Sequence, residues 1–175
     1  MKKTTKFVAA FAAAALAFGI APAATAANAT KACLALDTGG VDDKSFNASA
    51  WAGAQAAAKK NPSITVKYLA ATSDADYAPN IKKLVDEKCD IIVGVGFLIN
   101  NAIVAAAKAN PSVKFAIVDQ DGEDHGADGS VYPGKKFANL KPLQFATNES
   151  AFQAGYLAAG VSKTGKVATY GGLNI

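Results

Sequence analysis

The sequence contains no arginine; all 18 of its basic residues are lysines. Receptors for amino acids or phosphates commonly grip the anion with a bidentate guanidinium, and this chain has none to offer. His125 is the single histidine, which argues against a zinc site of the usual His/Cys kind and against a Ser-His-Asp triad. We therefore expect a binding protein with no metal and no cofactor, and not an enzyme.

Two glycine-containing stretches resemble cofactor or metal loops only superficially. Residues 94–99 begin like a dinucleotide fingerprint, but Ile99 occupies the place of its third glycine. Residues 119–124 are acidic, yet the glycine is misplaced for a calcium loop and no late bidentate glutamate follows. The first therefore predicts no cofactor, and we interpret the second as a solvated acidic loop.

Residues 1–26 have the pattern of a secretory signal peptide. Three lysines precede the apolar run Phe7–Ile20, and Ala24–Ala26 offers small residues for cleavage, with Ala27–Ala29 as a second cut. A retained anchor helix is the alternative. Without the signal, 15 lysines face 14 acidic residues, so the basic balance of the whole chain does not indicate nucleic-acid binding.

The chain has two cysteines, Cys33 and Cys89. Residues 30–32 do not look like a lipoprotein processing site, so we expect Cys33 to stay in the fold and carry no lipid anchor. Cys33 begins the first predicted strand and Cys89 precedes the third; these strands are neighbours in a doubly wound sheet of order 2-1-3. In an exported protein this favours a structural disulfide over two free thiols.

Strand and helix patterns alternate in units of about thirty residues, which predicts an α/β fold with a parallel, doubly wound sheet. Residues 121–136 show no periodicity and are predicted as an irregular connection. A last strand is predicted at residues 166–170, followed by two glycines and no helix, so a further unit looks only begun. The other strands are predicted at 32–36, 64–70, 90–95, 114–119 and 140–145, and the helices at 48–60, 81–88, 97–109 and 149–161.

The stretch from Asp37 to Asn47 joins the first strand to the first helix. In a parallel sheet such loops lie at the carboxyl ends of the strands, where ligands usually bind. Ser45 or Asn47 could simply cap the helix and Phe46 could staple its start. A phenylalanine among so many polar groups is better explained as a flat surface for a ligand.

Two other strand ends are predicted to meet this loop. The third strand supplies Gly96 and Phe97, and the fourth supplies Asp119. Carboxylates and amides exchange hydrogen bonds with hydroxyls and ring nitrogens, while phenylalanine rings stack on flat groups. The set suits a neutral small molecule that carries hydroxyls or a heteroaromatic ring.

Four segments carry a family resemblance: residues 40–47 with Trp51 and Gly53, residues 89–97, residues 115–119, and residues 149–152 with 155–158. Together they resemble the basic membrane lipoprotein family, the purine-nucleoside-receptor type of substrate-binding proteins for ABC transporters. The resemblance implies a two-lobed, type I periplasmic-binding-protein fold that traps a nucleoside between its lobes and delivers it to an ABC permease. Residues 27–165 would form the first lobe with an interlobe helix, and residues 166–175 would start an incomplete second lobe.

The resemblance also implies roles for individual residues. Phe46 would stack on the purine, Asp119 would hydrogen-bond the base, and Asp43, rather than Asp42, would act in the same loop. The full set of predicted ligand-binding residues is Asp43, Ser45, Phe46, Asn47, Gly96, Phe97 and Asp119.

The expected protein is an exported monomer in the periplasm or on the outer face of the plasma membrane. Three alternatives stay open. They are a receptor for a sugar or another polar solute, an exported hydrolase with Asp43 or Asp119 as its base, and a fragment without function of its own.

Overall fold

A computed structural model of the chain describes residues 29–125, 131–132 and 137–169, without the side chains of residues 124, 125, 131 and 132. The predicted signal peptide and residues 170–175 lie outside this part, as does the side chain of His125. Among the described residues, no helix is long and apolar enough to cross a membrane.

Five parallel strands form one sheet in the order β2-β1-β3-β4-β7, which confirms the predicted α/β class, the parallel sheet and the 2-1-3 order. The strands are β1 (Thr30–Thr38), β2 (Ile64–Ala71), β3 (Ile91–Val95), β4 (Lys114–Val118), β5 (Asp124–His125), β6 (Val131–Tyr132) and β7 (Leu140–Leu143). The helices are α1 (Phe46–Lys60), α2 (Tyr77–Asp86), α3 (Asn100–Ala109) and α4 (Thr147–Val161).

Strand β1 lies in the middle of the core because its side chains are buried on both faces of the sheet. Cys33 and Ala35 pack with the apolar residues of α2 and α3 on one face. Leu34 and Leu36 pack on the other face, where α1 contributes Trp51. This alternation is the period of two that a strand imposes on its side chains, and it places helices on both faces.

Backbone geometry explains two of the differences between the predicted and the observed helix boundaries. Helix α2 was predicted to reach Lys88 but ends at Asp86, since Lys88 has a left-handed φ of 60° that cannot continue a helix. Helix α3 was predicted from Phe97 but begins at Asn100, whose N–H donates to the Phe97 carbonyl at 3.3 Å. Residues 97–99 therefore form a turn that leads into the helix.

The predicted disulfide between Cys33 and Cys89 is confirmed. The two Cα atoms lie 6.0 Å apart, and neither residue is more than 3% exposed. The bond joins β1 to the residues just before β3, so it links the two central strands away from their carboxyl ends.

Two other predictions need correction. Within the stretch predicted as irregular, 121–136, residues 124–125 and 131–132 pair as the short antiparallel strands β5 and β6. The strand predicted at 166–170 is not formed over residues 166–169, and residue 170 lies outside the described part. Residues 166–169 are exposed, and no described strand lies beside them to complete the backbone hydrogen bonds.

Candidate functional site

Three neighbouring strands reach the same level near the carboxyl edge of the sheet. Leu36 of β1 is paired with Val95 of β3, and Val95 is paired with Val118 of β4. The next residues along the chain are Asp37, Gly96 and Asp119, respectively. Adjacent strands are about 4.8 Å apart, so the two aspartates flank the glycine with Cα atoms on the order of 10 Å apart.

The carboxylate of Asp37 occupies the space that a side chain at position 96 would need. Gly96 has a φ of 96°, and a Cβ atom built on it would lie 1.8 Å from Asp37 Oδ2. Asn47 Nδ2 donates to Asp37 Oδ1 at 2.9 Å. The Asp37 carboxylate of β1 is therefore hydrogen-bonded to the start of α1 and lies against the turn after β3.

Asp37 and Asn47 are both polar side chains that the fold leaves incompletely stabilised. Burial raises the pKa of the Asp37 carboxyl and the Asp43 charge raises it further, although the hydrogen bond from Asn47 acts in the opposite direction. Asn47 is 0% exposed, and its Oδ1 has no hydrogen-bond partner among the described residues. A buried carbonyl oxygen without a partner is costly, and it is commonly satisfied by water or a ligand.

Asp43 caps helix α1. Its carboxylate accepts hydrogen bonds from the backbone N–H groups of Ser45 at 2.8 Å and of Asn47 and Ala48 at 3.0 Å. Desolvation acts to raise the pKa of Asp43, but these three hydrogen bonds outweigh it and hold the pKa below its usual value. The capping side chain is thus that of Asp43. The simplest interpretation of the sequence, a cap by Ser45 or Asn47, is wrong.

Phe46 lies at the first position of α1 and is 40% exposed. Its ring contacts the ring of Phe145, which follows β7, with centroids 5.8 Å apart and planes tilted by 54°. Phe145 is itself 58% exposed. Sequence reasoning missed Phe145 as a site residue, although its place at the end of a predicted strand was a usable signal.

Asp119 directly follows β4 and has a left-handed conformation with a φ of 67°, which is uncommon for a residue with a side chain. Its N–H donates to the Leu143 carbonyl at 2.9 Å, and burial raises its carboxyl pKa. The loop that follows is held by Asn100, whose Nδ2 donates to the Glu123 carbonyl at 2.6 Å. Sequence reasoning missed Asn100, which is 2% exposed.

Three buried polar atoms lack a partner within the described part of the chain: Asn47 Oδ1, Asn100 Oδ1 and the hydroxyl of Tyr77. Each belongs to the first turn of one of the three helices that follow β1, β2 and β3. All three therefore lie toward the carboxyl edge of the sheet, where sequence reasoning placed the site. Within this same part, no group of three or more His, Cys, Asp or Glu side chains is arranged to hold a metal ion.

The sequence pattern of the ABC transporter substrate-binding protein PnrA-like family matches residues 30–175. The chain belongs to this family. The family resemblance drawn from the four sequence segments is thereby confirmed.

Curated relatives include the ABC transporter nucleoside-binding protein BmpA of Lactococcus lactis, which is 37% identical over 146 residues. Basic membrane protein A of Borreliella burgdorferi is 34% identical over 144 residues. Each match covers 82% of this chain but only 38% and 39% of the relative, respectively. The chain therefore spans less than two-fifths of the length of these family members.

Solved structures agree with the family assignment. An ABC transporter solute-binding protein from Aeropyrum pernix superposes with a TM-score of 0.62 at 26% identity, over 74% of this chain and 32% of that one. A solute-binding protein from Conexibacter woesei superposes with a TM-score of 0.55 at 19% identity, over 75% of this chain and 40% of that one, and shows the fold alone. The predicted periplasmic-binding-protein type of fold is confirmed.

Proposed function

We propose that this family member binds a purine nucleoside outside the cytoplasm and serves as the solute-binding component of an ABC importer. The observation that carries the proposal is the half-exposed ring of Phe46 next to buried Asn47, which donates a hydrogen bond to half-buried Asp37. An aromatic surface next to fixed hydrogen-bonding groups suits a flat heterocycle. The L. lactis relative is named a nucleoside-binding protein, which supports the same ligand class.

The edge of the sheet offers mainly acceptors. Asp37 and Asp119 accept hydrogen bonds from N–H and O–H groups of a ligand, and Phe46 stacks on its ring. The chain contains no arginine, and these carboxylates would repel a phosphate group. We therefore propose that the site takes a nucleoside in preference to a nucleotide.

The structure gives no support to the alternative of a hydrolase that uses Asp43 as its base. Both oxygens of Asp43 accept hydrogen bonds from backbone N–H groups, and those bonds hold its pKa low. A carboxylate of low pKa is a weak general base. Binding without chemistry therefore remains our proposal.

The proposed domain division is that predicted above, with residues 27–165 as the ligand-binding lobe and residues 166–175 as the start of a second lobe. Its support is the length of the relatives, of which this chain matches less than two-fifths. We further propose export after cleavage at Ala26 or Ala29, and the mass of the secreted product would identify the cut. A retained residue Met1 in that product would contradict the signal peptide.

Calorimetry with a panel of nucleosides, nucleotides and sugars tests the function. It needs this chain and a version extended by the remaining length of the L. lactis relative. Replacement of Phe46 by Ala should weaken nucleoside binding by about five- to 150-fold, since base stacking contributes about 1–3 kcal/mol. Asp119→Asn should weaken it by a similar factor.

Phe152→Ala is the matched control, because Phe152 is 74% exposed on α4 and lies outside the proposed site. It should leave affinity unchanged. Binding of a sugar but no nucleoside would favour the alternative receptor. Nucleoside binding that is insensitive to Phe46→Ala in the extended version would remove the stacking role.

A further inference from the structure

Residues 143–145, called here the β7 exit, contact two of the groups proposed to bind the ligand. The Leu143 carbonyl accepts a hydrogen bond from the Asp119 N–H at 2.9 Å. The ring of Phe145 lies 5.8 Å from the ring of Phe46, measured between centroids, with the planes tilted by 54°. None of these residues belongs to α4, so both contacts are made within the sheet, its loops and the start of α1.

The backbone of Phe46 is well fixed, but the groups that fix it do not hold its ring. Hydrogen bonds from backbone N–H groups to Asp43 hold the first turn of α1, in which Phe46 lies. The ring is 40% exposed and belongs to neither of the two core clusters formed by the described residues. An exposed side chain exchanges among three staggered χ1 wells unless a contact selects one. The ring contact that the structure shows for Phe46 is the one with Phe145.

The contact between the two rings has a favourable and directional geometry. Aromatic pairs attract most when their centroids are about 4.5–7 Å apart and the rings are tilted or offset, because the positive edge of one ring then faces the negative face of the other. The Phe46–Phe145 pair lies within this range. Phe145 is itself tied to the sheet, since the carbonyl of Leu143, two residues earlier, is hydrogen-bonded to Asp119. The pair therefore favours one position of the Phe46 ring over the others.

We propose that Phe145 is a positioning residue, which holds the ring of Phe46 in the orientation that presents one face to the base of the ligand. Phe145 acts through Phe46 and does not itself stack on the base. Because the β7 exit also bonds the Asp119 backbone, it fixes the stacking ring and the acceptor for the base relative to each other. This inference rests on the nucleoside site proposed above and gives a role to a residue outside the predicted set.

The orientation of the Phe46 ring can be measured in this chain without any ligand. In isotope-labelled protein, the three-bond couplings from Phe46 Cγ to its backbone nitrogen and carbonyl carbon report χ1. We expect a single χ1 well in the wild type and in Phe145→Tyr, which keeps the ring. Phe145→Leu keeps the apolar bulk without the ring, and its couplings should be an average over several wells. Couplings that are the same in Phe145→Leu and in the wild type would overturn the proposal.

Phe152→Leu is the matched control for the coupling measurement, because it makes the same change at a ring that is 74% exposed on α4. It should leave the Phe46 couplings unchanged. Averaged couplings in both leucine variants would indicate a general loosening of the chain and would overturn a specific role for Phe145. Fluorescence of the single tryptophan, Trp51, which packs against Tyr68, verifies that each variant remains folded.

Calorimetry with inosine, a purine nucleoside, on the extended version of the chain tests the effect on binding. Phe145→Leu should weaken inosine binding by up to about threefold, because spreading the ring over three χ1 wells leaves about a third of the molecules competent. In a Phe46→Ala background the same substitution should have no effect, since the two residues act as a unit. A loss of affinity that persists in that background would show direct contact between Phe145 and the ligand and overturn the positioning role.

Failure of this proposal and failure of the proposed function give different results. If the extended version binds no nucleoside, the proposed function is wrong, and the χ1 couplings of the ligand-free chain still decide whether Phe145 holds the Phe46 ring. Averaged couplings in Phe145→Leu together with unchanged inosine affinity would leave the function intact and overturn the link between ring orientation and binding.

Discussion

Helices α1 and α4 are each fifteen residues long and rich in alanine, yet they relate differently to the rest of the protein. Helix α1 buries Asn47 completely and packs Trp51 edge-on against Tyr68, with ring centroids 4.9 Å apart. Helix α4 buries nothing and exposes its aromatic rings. Both stretches are helical, whereas attachment to the sheet depends on a few side chains that reach it.

The two helices also begin differently. Three backbone N–H groups at the start of α1 are satisfied by Asp43. The residue before α4 is Ala146, which has no side-chain oxygen to offer. The fixed start of α1 holds Phe46 and Asn47 at the sheet edge, so the well-anchored helix is the one that carries the candidate site.

Loss of the disulfide should have the largest effect on stability. The bond belongs to the sheet and does not involve α4. Cys33 and Cys89 are 56 residues apart in sequence. The chain-entropy relation gives about 4 kcal/mol for closing a loop of that length. Replacement of both cysteines by alanine should lower the unfolding free energy by that order in urea titrations. Reduced protein that unfolds at the same urea concentration would contradict this.

Removing one aromatic ring from each helix tests the comparison itself. Trp51→Ala should cost about 3 kcal/mol, because a partly buried indole and its contact with Tyr68 are lost. Phe152→Ala should stay within about 0.5 kcal/mol, as is usual for exposed positions. Both values come from urea unfolding. Equal costs would show that α4 is anchored after all.

Loss of the cap should have a smaller effect that is again confined to α1. Asp43→Ala leaves three backbone N–H groups without their acceptor and should lower the melting temperature by about 3–6 °C. Ala146→Asp adds a potential cap to α4 and should not raise the melting temperature, since α4 contributes little to the cooperative transition. Circular dichroism during heating measures both variants.

The pH dependence of Asp37 should be the subtlest effect. Its folded-state pKa lies above its ordinary value of 3.8, so the folded protein takes up the proton first as the pH falls. The contribution of Asp37 to stability therefore rises as pH drops through the folded pKa and is complete below 3.8. In paired urea titrations, Asp37→Asn should change the free energy of unfolding, relative to wild type, in the stabilising direction more at pH 7 than at pH 4. A difference in unfolding free energy between the variant and wild type that does not change with pH would refute this.

The sheet was predictable from the sequence because its strands are continuous apolar runs. Residues 91–95 are an example, and their predicted boundary differs from the observed one by a single residue. The alternation at residues 166–169 looked equally convincing, but a strand also needs a neighbour, and the pattern of one segment cannot reveal that. The exposure of α4 was not predicted for the same reason, because the sequence of one helix does not show which elements lie beside it.

The predicted site residues lie at one edge of the sheet, but the connections among them were not predicted. The roles of Asp43 and Asn47 depend on which backbone groups and side chains lie within 3 Å of them. Asp37 was left out of the predicted set because its importance comes from Gly96, which is 59 residues later in the sequence. Such pairings come from the register of β1 against β3, which the sequence pattern does not encode residue by residue.

The contact between Asp37 and Gly96 has a consequence for how sequences with this fold can vary. A side chain at position 96 would meet the Asp37 carboxylate, so either that carboxylate must turn away from its hydrogen bond with Asn47 or position 37 must become smaller. The two positions should therefore behave as an epistatic pair. In a deep mutational scan, Gly96→Ala should be tolerated better in an Asp37→Gly background than alone, with the strain of the left-handed backbone as the remaining cost.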